Sequence, residues 1–143
     1  MNRELELVRR VALAADKFYK DSKEFGQEAA VCFTGDVGKS QVRNLESIAN
    51  STLKVSDVLD YIKKQVGREN PRKPVWTKDE FGRLLLEKLE NDLGKVAEEL
   101  TKDAAEGARP RERQQVHIQL IQQFVRQTAA QYEFSRKDAA PIR

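Results

Sequence analysis

Residues 76–100, WTKDEFGRLLLEKLENDLGKVAEEL, decide the fold. Thr77 and Glu80 stand three apart, the spacing at which a capping hydroxyl and a returning carboxylate satisfy each other's backbone N–H groups. Trp76 and Phe81 take the positions that flank such a capping box with an apolar staple. Beyond them Phe81, Leu84, Leu85, Leu89, Leu93, Val96 and Leu100 recur at intervals of three and four. That spacing predicts one amphipathic helix from Lys78 to about Thr101. Such a helix buries its stripe only against other helices, and the sequence on both sides supplies them.

Upstream, Ser56 predicts an N-cap, and Val55, Val58, Leu59, Ile62 and Val66 form a stripe that Gly67 ends. Residues 68–74 (RENPRKP) read as a basic loop, because two prolines forbid continued helix. Lys39–Leu53 predicts a helix with Val42, Leu45 and Ala49 inward. Residues 25–37 (FGQEAAVCFTGDV) fit a strand, a helix or a packed loop. Residues 3–24 predict an opening helix buried through Leu5, Val8, Ala12, Ala15 and Tyr19, with Val11 and Phe18 beside them. Downstream, Asp103–Arg109 reads as a loop and Pro110 suits a first helical turn. The last helix reaches about Phe134. Its two apolar strips, Val116/Leu120/Phe124 and Ile118/Ile121/Val125/Ala129/Tyr132, predict packing on more than one neighbour. The expectation is an all-α protein: a compact bundle of about five helices, with one domain over residues 1–134 and a polar tail over 135–143.

Composition narrows the function classes. The 143 residues support one core, and 7 glycines with 4 prolines are too few for a many-turned all-β fold. No apolar run approaches the ~20 residues of a membrane span. The N-terminus lacks the basic-then-apolar build of a secretory leader. No membrane partner is expected. The single cysteine, Cys32, allows no internal disulfide, and the single histidine, His117, leaves too few ligands for a typical zinc site. A reducing, cytoplasmic setting with no metal and no cofactor follows as the expectation. Cys32, between Val31 and Phe33, reads as an inert buried thiol, and His117 as a surface or interface histidine.

Gly35-Asp-Val-Gly38-Lys39-Ser40 tempts as a phosphate-binding loop. That loop needs four residues between its glycines to curl enough N–H groups around a phosphate, and here two intervene. No apolar strand ending in an aspartate follows to hold magnesium. Nucleotide hydrolysis is therefore not expected, and no other acid–base or nucleophile–base pair stands out. A weaker role survives: a helix N-terminus bearing Gly38, Lys39 and Ser40 that holds one phosphate oxygen, including one of a nucleic-acid backbone.

The overall charge of +3 conceals blocks. Residues 1–35 balance, residues 36–78 carry nine bases against five acids, residues 79–106 four against nine, and residues 107–143 seven against three. Lys39 and Arg43 share one helix face, and Lys64 and Arg68 repeat that spacing with Lys63 beside them. Arg72 and Lys73 extend the cluster into the loop. Spacing of this kind sets cations ~6 Å apart, close to a phosphate repeat. The last helix adds Gln115, Gln119, Gln122, Gln123 and Arg126, a polar face suited to RNA backbone or a protein partner. An ordinary solvated face fits the same patterns. No aromatic platform for stacking bases is visible, so any binding is expected to follow the backbone and tolerate sequence.

Three stretches carry a resemblance. Gly38-Lys-Ser-Gln-Val-Arg-Asn-Leu45, Tyr61-Ile-Lys-Lys-Gln-Val-Gly-Arg68 and Gln123-Phe-Val-Arg-Gln-Thr-Ala-Ala-Gln-Tyr132 resemble segments of the small helical subunit of CRISPR type III-A (Csm) effector complexes. In the third, Arg126 and Gln127 stand where that family has a Glu-Ala pair. The resemblance implies a non-catalytic subunit whose copies associate along the complex beside its other subunits. Such copies line the channel that holds guide RNA and target RNA, and cleavage falls to other subunits. The matching basic positions are Lys39, Arg43, Lys63, Lys64 and Arg68, which coincide with the cluster found from spacing. With Arg126 they form the expected RNA-binding set. Two alternatives stay open: a helical nucleic-acid-binding or adaptor protein unrelated to CRISPR, and a degenerate phosphate-loop enzyme using Lys39.

Overall fold

In a computed structural model, which describes residues 2–138, the chain is helical throughout, with no strand among the described residues. The helices are α1 (Arg3–Lys17), α2 (Tyr19–Cys32), α3 (Gly35–Ser51) and α4 (Val55–Arg68), then α5 (Phe81–Glu87), α6 (Leu93–Leu100) and α7 (Arg109–Asp138). A 3-10 turn (Lys78–Glu80) precedes α5, and a π turn (Lys88–Asp92) joins α5 to α6 in one rod. Six rods thus stand where about five were expected, because the opening helix breaks at Phe18 and its second half, α2, runs on through the ambiguous residues to Cys32. The last helix also runs to Asp138, past the expected end at 134, and residues 139–143 of the expected tail lie outside the described residues. Among the described residues no helix is long and apolar enough to cross a membrane.

The long helix α7 is the central post, touched by α1, α2, α3, α4 and α6. Its two apolar strips are both buried, as their pattern predicts: Val116, Leu120, Ile121, Phe124 and Tyr132 have no exposed surface. Helix α2 lies closest to it. A Cβ at Gly26 would sit 2.4 Å from the Gln131 Cβ, so only glycine allows this approach.

The opening helix departs from expectation. It breaks at Phe18, and the carbonyl of Ala15 in the interrupted turn accepts from Gln127 Nε2 at 3.2 Å. Ser22 Oγ, just past the break, donates to Gln127 Oε1 at 2.6 Å. The roll of α1 is set by charge. Arg3 meets Glu112 at 2.7 Å and Asp103 at 3.0 Å, and Arg10 meets Asp103 at 2.8 Å and the Leu100 carbonyl at 2.9 Å. The buried face is therefore Leu7, Val11, Ala14, Ala15 and Phe18, while Leu5, Val8, Ala12 and Tyr19 are exposed.

Two expected caps are replaced. Ser56 does not cap α4. The turn before that helix is held by Thr52, whose Oγ1 accepts from Lys54 N at 3.0 Å and donates to Asp57 Oδ2 at 2.5 Å. Thr77 does not cap the α5 rod, because its N–H and hydroxyl both donate to Glu69, at 3.0 and 2.8 Å. Asp79 and Glu80 then take left-handed backbone, φ 53° and 58°, and the helix starts at Phe81. The apolar half of the signal stands: Trp76 and Phe81 are both buried with ring centroids 6.5 Å apart.

Candidate nucleic-acid interface

Helix α3 starts at Gly35, one turn before Lys39. The N–H of Gly38 already donates to the Thr34 carbonyl at 3.2 Å, and a Cβ there would lie 2.3 Å from the Phe33 carbonyl carbon. Gly38 is therefore a packing glycine, not part of an open phosphate cradle. This corrects the expectation of a helix N-terminus at Gly38-Lys39-Ser40.

Helices α3 and α4 form an antiparallel pair joined through Val37, Gln41 and Asn44 on one side and Tyr61, Gln65 and Arg68 on the other. Val37 and Gln41 line a groove with Gln65 and Arg68. Burial pushes the Tyr61 phenol up, and the Asn44 amide beside it pulls the other way. Successive helical residues turn by about 100°. Arg43 thus points about 200° from Gln41, away from α4. The side it occupies borders α7. Tyr132 donates to the Phe33 carbonyl at 3.0 Å, and Gln122 Nε2 donates to the Ala49 carbonyl at 3.0 Å. These two bonds set α3 antiparallel to α7. Arg43 and Arg136 both act on the Tyr132 phenol, which burial pushes up and these cations pull down. The Arg136 guanidinium lies over the Tyr132 ring, 5.4 Å from its centroid.

The interaction with Tyr132 sets Arg43 toward α7, and the groove sets Arg68 toward the α3–α4 joint, so helical geometry distributes the expected residues, Lys63 apart, over two strips. Lys39 and Arg43 lie on the α7 side of α3, and Arg126 lies one turn from Gln122 on the same seam. Lys64 and Arg68 lie on the opposite side, on α4, continuing into the loop at Lys73. Lys63 turns about 100° away from Lys64 and joins neither strip. The sequence cannot separate the strips, since the split arises from the face of α3 on which α4 docks.

What the cations share is the lack of an internal counter-ion. Among the described residues, Lys39, Arg43, Lys63, Lys64, Arg68, Arg72, Lys73 and Arg126 have no carboxylate within 4.0 Å, whereas Arg3, Arg9, Arg10, Lys88, Lys102 and Arg113 do. All but Lys39 of the unpaired group are exposed.

The glutamine face of α7 is largely spent inside the protein. Gln122 closes the end of α3, and Gln115, Gln119 and Gln123 are half-buried. Glu69 is the residue that spacing missed. Its carboxylate accepts from Val75 N at 2.5 Å, Trp76 N at 2.7 Å, Thr77 N and the Thr77 hydroxyl. It thereby fixes the loop that carries Arg72 and Lys73. The one sequence signal is a carboxylate at a helix C-terminus, where the dipole favours a cation.

No protein-family model, curated protein or solved structure matches the chain. The fold and the interface define a helical module with unpaired cations on both flanks of one helix.

Proposed function

We propose that this chain is a non-catalytic subunit that binds RNA through its backbone, in a CRISPR type III interference complex. The observation that carries the RNA reading is the pairing asymmetry. Among the described residues, Arg3, Arg9 and Arg10 of α1 and Arg113 near the start of α7 meet carboxylates, while every cation of α3, α4 and the following loop is left for an outside anion, as are Lys17, Lys95, Arg109 and Arg111 elsewhere. Phosphates repeat at the spacing of such cations and release counter-ions when bound. The Gly38 N–H, already occupied, supports a role without nucleotide turnover. The CRISPR setting rests on the resemblance of residues 38–45, 61–68 and 123–132. Guide RNA, target RNA, neighbouring subunits and further copies of this chain are its proposed partners. Co-purification from cells is the test. Tagged protein should bring down a short guide RNA with larger subunits. Recovery of heterogeneous RNA without those subunits would replace the CRISPR setting with a general RNA-binding role, and recovery of no RNA would remove both.

A further inference from the structure

Between α2 and the start of the α5 rod lies a groove of about 340 Å³, at the small end of the range for ligand sites. Its apolar surface comes from Phe25, which is half-buried, and from Leu84. Leu84 is expected on the buried stripe of the rod, yet it is 49% exposed. Carboxylates border the groove at Asp21, Glu24, Glu28 and Asp79. Lys88, on the same wall, is spent on Asp21 at 2.7 Å and on Asp92 at 3.5 Å. Among the described residues, Glu24, Glu28 and Asp79 have no cation within 4.0 Å. Lys78, next to Asp79 in the chain, donates to the Val31 carbonyl instead, at 3.5 Å. The negative field reaches behind the wall: burial, then Glu28 and Asp79, push the Cys32 thiol up to about 11.

These features select among occupants. A metal ion would answer the carboxylates and leave Leu84 bare. An aliphatic side chain would cover Leu84 but desolvate the acids beside it without a partner. A nucleic-acid backbone would be repelled. An arginine answers both halves of the groove. Its stem covers Leu84, and its flat, weakly hydrated head lies against the Phe25 ring. Carboxylate oxygens of Glu28 and Asp79 stand within 4.8 Å of each other, so one forked guanidinium can donate to both.

We infer that the groove between α2 and α5 docks a segment of a protein partner through one arginine, its stem on Leu84 and Phe25 and its guanidinium between Glu28 and Asp79. The inference stands apart from the RNA-binding reading, because these elements carry none of the cations invoked there.

The probe is a short peptide with adjacent arginines between leucines, titrated into the isotope-labelled full chain and followed by NMR. The Leu84 methyls and the amides of residues 24–28 should shift saturably. The same peptide with citrulline, the neutral isostere of arginine, should bind at least about tenfold more weakly. Glu28→Gln and Asp79→Asn should each weaken the arginine peptide about three- to fivefold. Asparagine tolerates the left-handed backbone of Asp79, so that variant keeps the turn. Glu90→Gln, at an exposed acid of the same rod outside the groove, should leave affinity unchanged. Equal binding of the citrulline peptide would overturn the inference. An equal loss in Glu90→Gln would do the same, since it marks charge attraction without a site. Zinc chloride moving these signals where the peptide does not would make the groove a metal site. Shifts on diluting the chain alone would give it to a second copy. If the peptide moves none of these signals, the inference falls, whatever RNA the chain binds.

Discussion

At the end of α4 a carboxylate stands where the helix dipole disfavours it, and the loop beyond is built on that oddity. Glu69 is drawn upward in pKa by burial, but the N–H groups of Thr77, Val75 and Trp76 and the Thr77 hydroxyl outweigh this and hold it below the usual range. The folded value lies below the unfolded one, so the ionised group stabilises the fold above the ordinary carboxylate pKa. That stability is lost as pH falls through the folded value. Glu69→Gln removes an acceptor oxygen and should cost about 2 kcal/mol near neutral pH. The gap in melting midpoint between the two proteins should narrow as the solution is acidified; a gap of constant size would mean the carboxylate charge is not what holds the loop. Thr77 belongs to the same argument. Its sequence position offers Glu80, three residues on, but its partner is Glu69, eight residues back. Local spacing reads only contacts that a helix would make, and this one is made by a loop closing on itself.

The α5–π–α6 rod shows what periodicity does carry. Its existence and inward face are plain in the sequence, and Phe81, Leu85, Leu89, Leu93 and Ala97 are all buried. These five recur strictly every four residues, whereas an α-helix advances about 40° past a full turn over four. A straight helix would carry that stripe off the core. The π turn at Lys88–Asp92 closes over more residues and takes back part of the drift, so the departure from α-geometry was itself encoded in the spacing. His117, read from sequence as a surface or interface histidine, serves this turn. Its Nε2 lies 2.8 Å from the Leu89 carbonyl, and since a carbonyl only accepts, the proton sits on Nε2. His117→Leu keeps the apolar contact and deletes the donor. Stability should fall by about 1–2 kcal/mol, read as a lower urea midpoint at unchanged slope. An unchanged midpoint would show that water serves the Leu89 carbonyl equally well.

At the scale of the whole molecule, among the described residues, α3, α4 and the loop after them hold cations none of which has a carboxylate within 4.0 Å. The positive balance of residues 36–78 is visible in the sequence. Its division into two strips is not, because that follows from α4 packing on the Gln41 side of α3 and α7 lying toward the Arg43 side. The split changes what mutation should do. On one continuous track, neighbouring contacts would couple; on opposite flanks of a helix about 10 Å thick, they act independently. In the assembled complex, Arg43→Ala and Arg68→Ala should each weaken target RNA similarly for unrelated sequences. Each should also flatten the log–log salt dependence by about 0.7–0.9. The double variant should lose the sum of the two free energies to within about 0.5 kcal/mol. Lys95→Ala, an exposed lysine on the acidic helix α6, is the control and should leave affinity unchanged. Strong coupling between Arg43 and Arg68 would restore a single track. Equal losses from all three, or none from any, would mean these cations meet solvent and the RNA lies elsewhere.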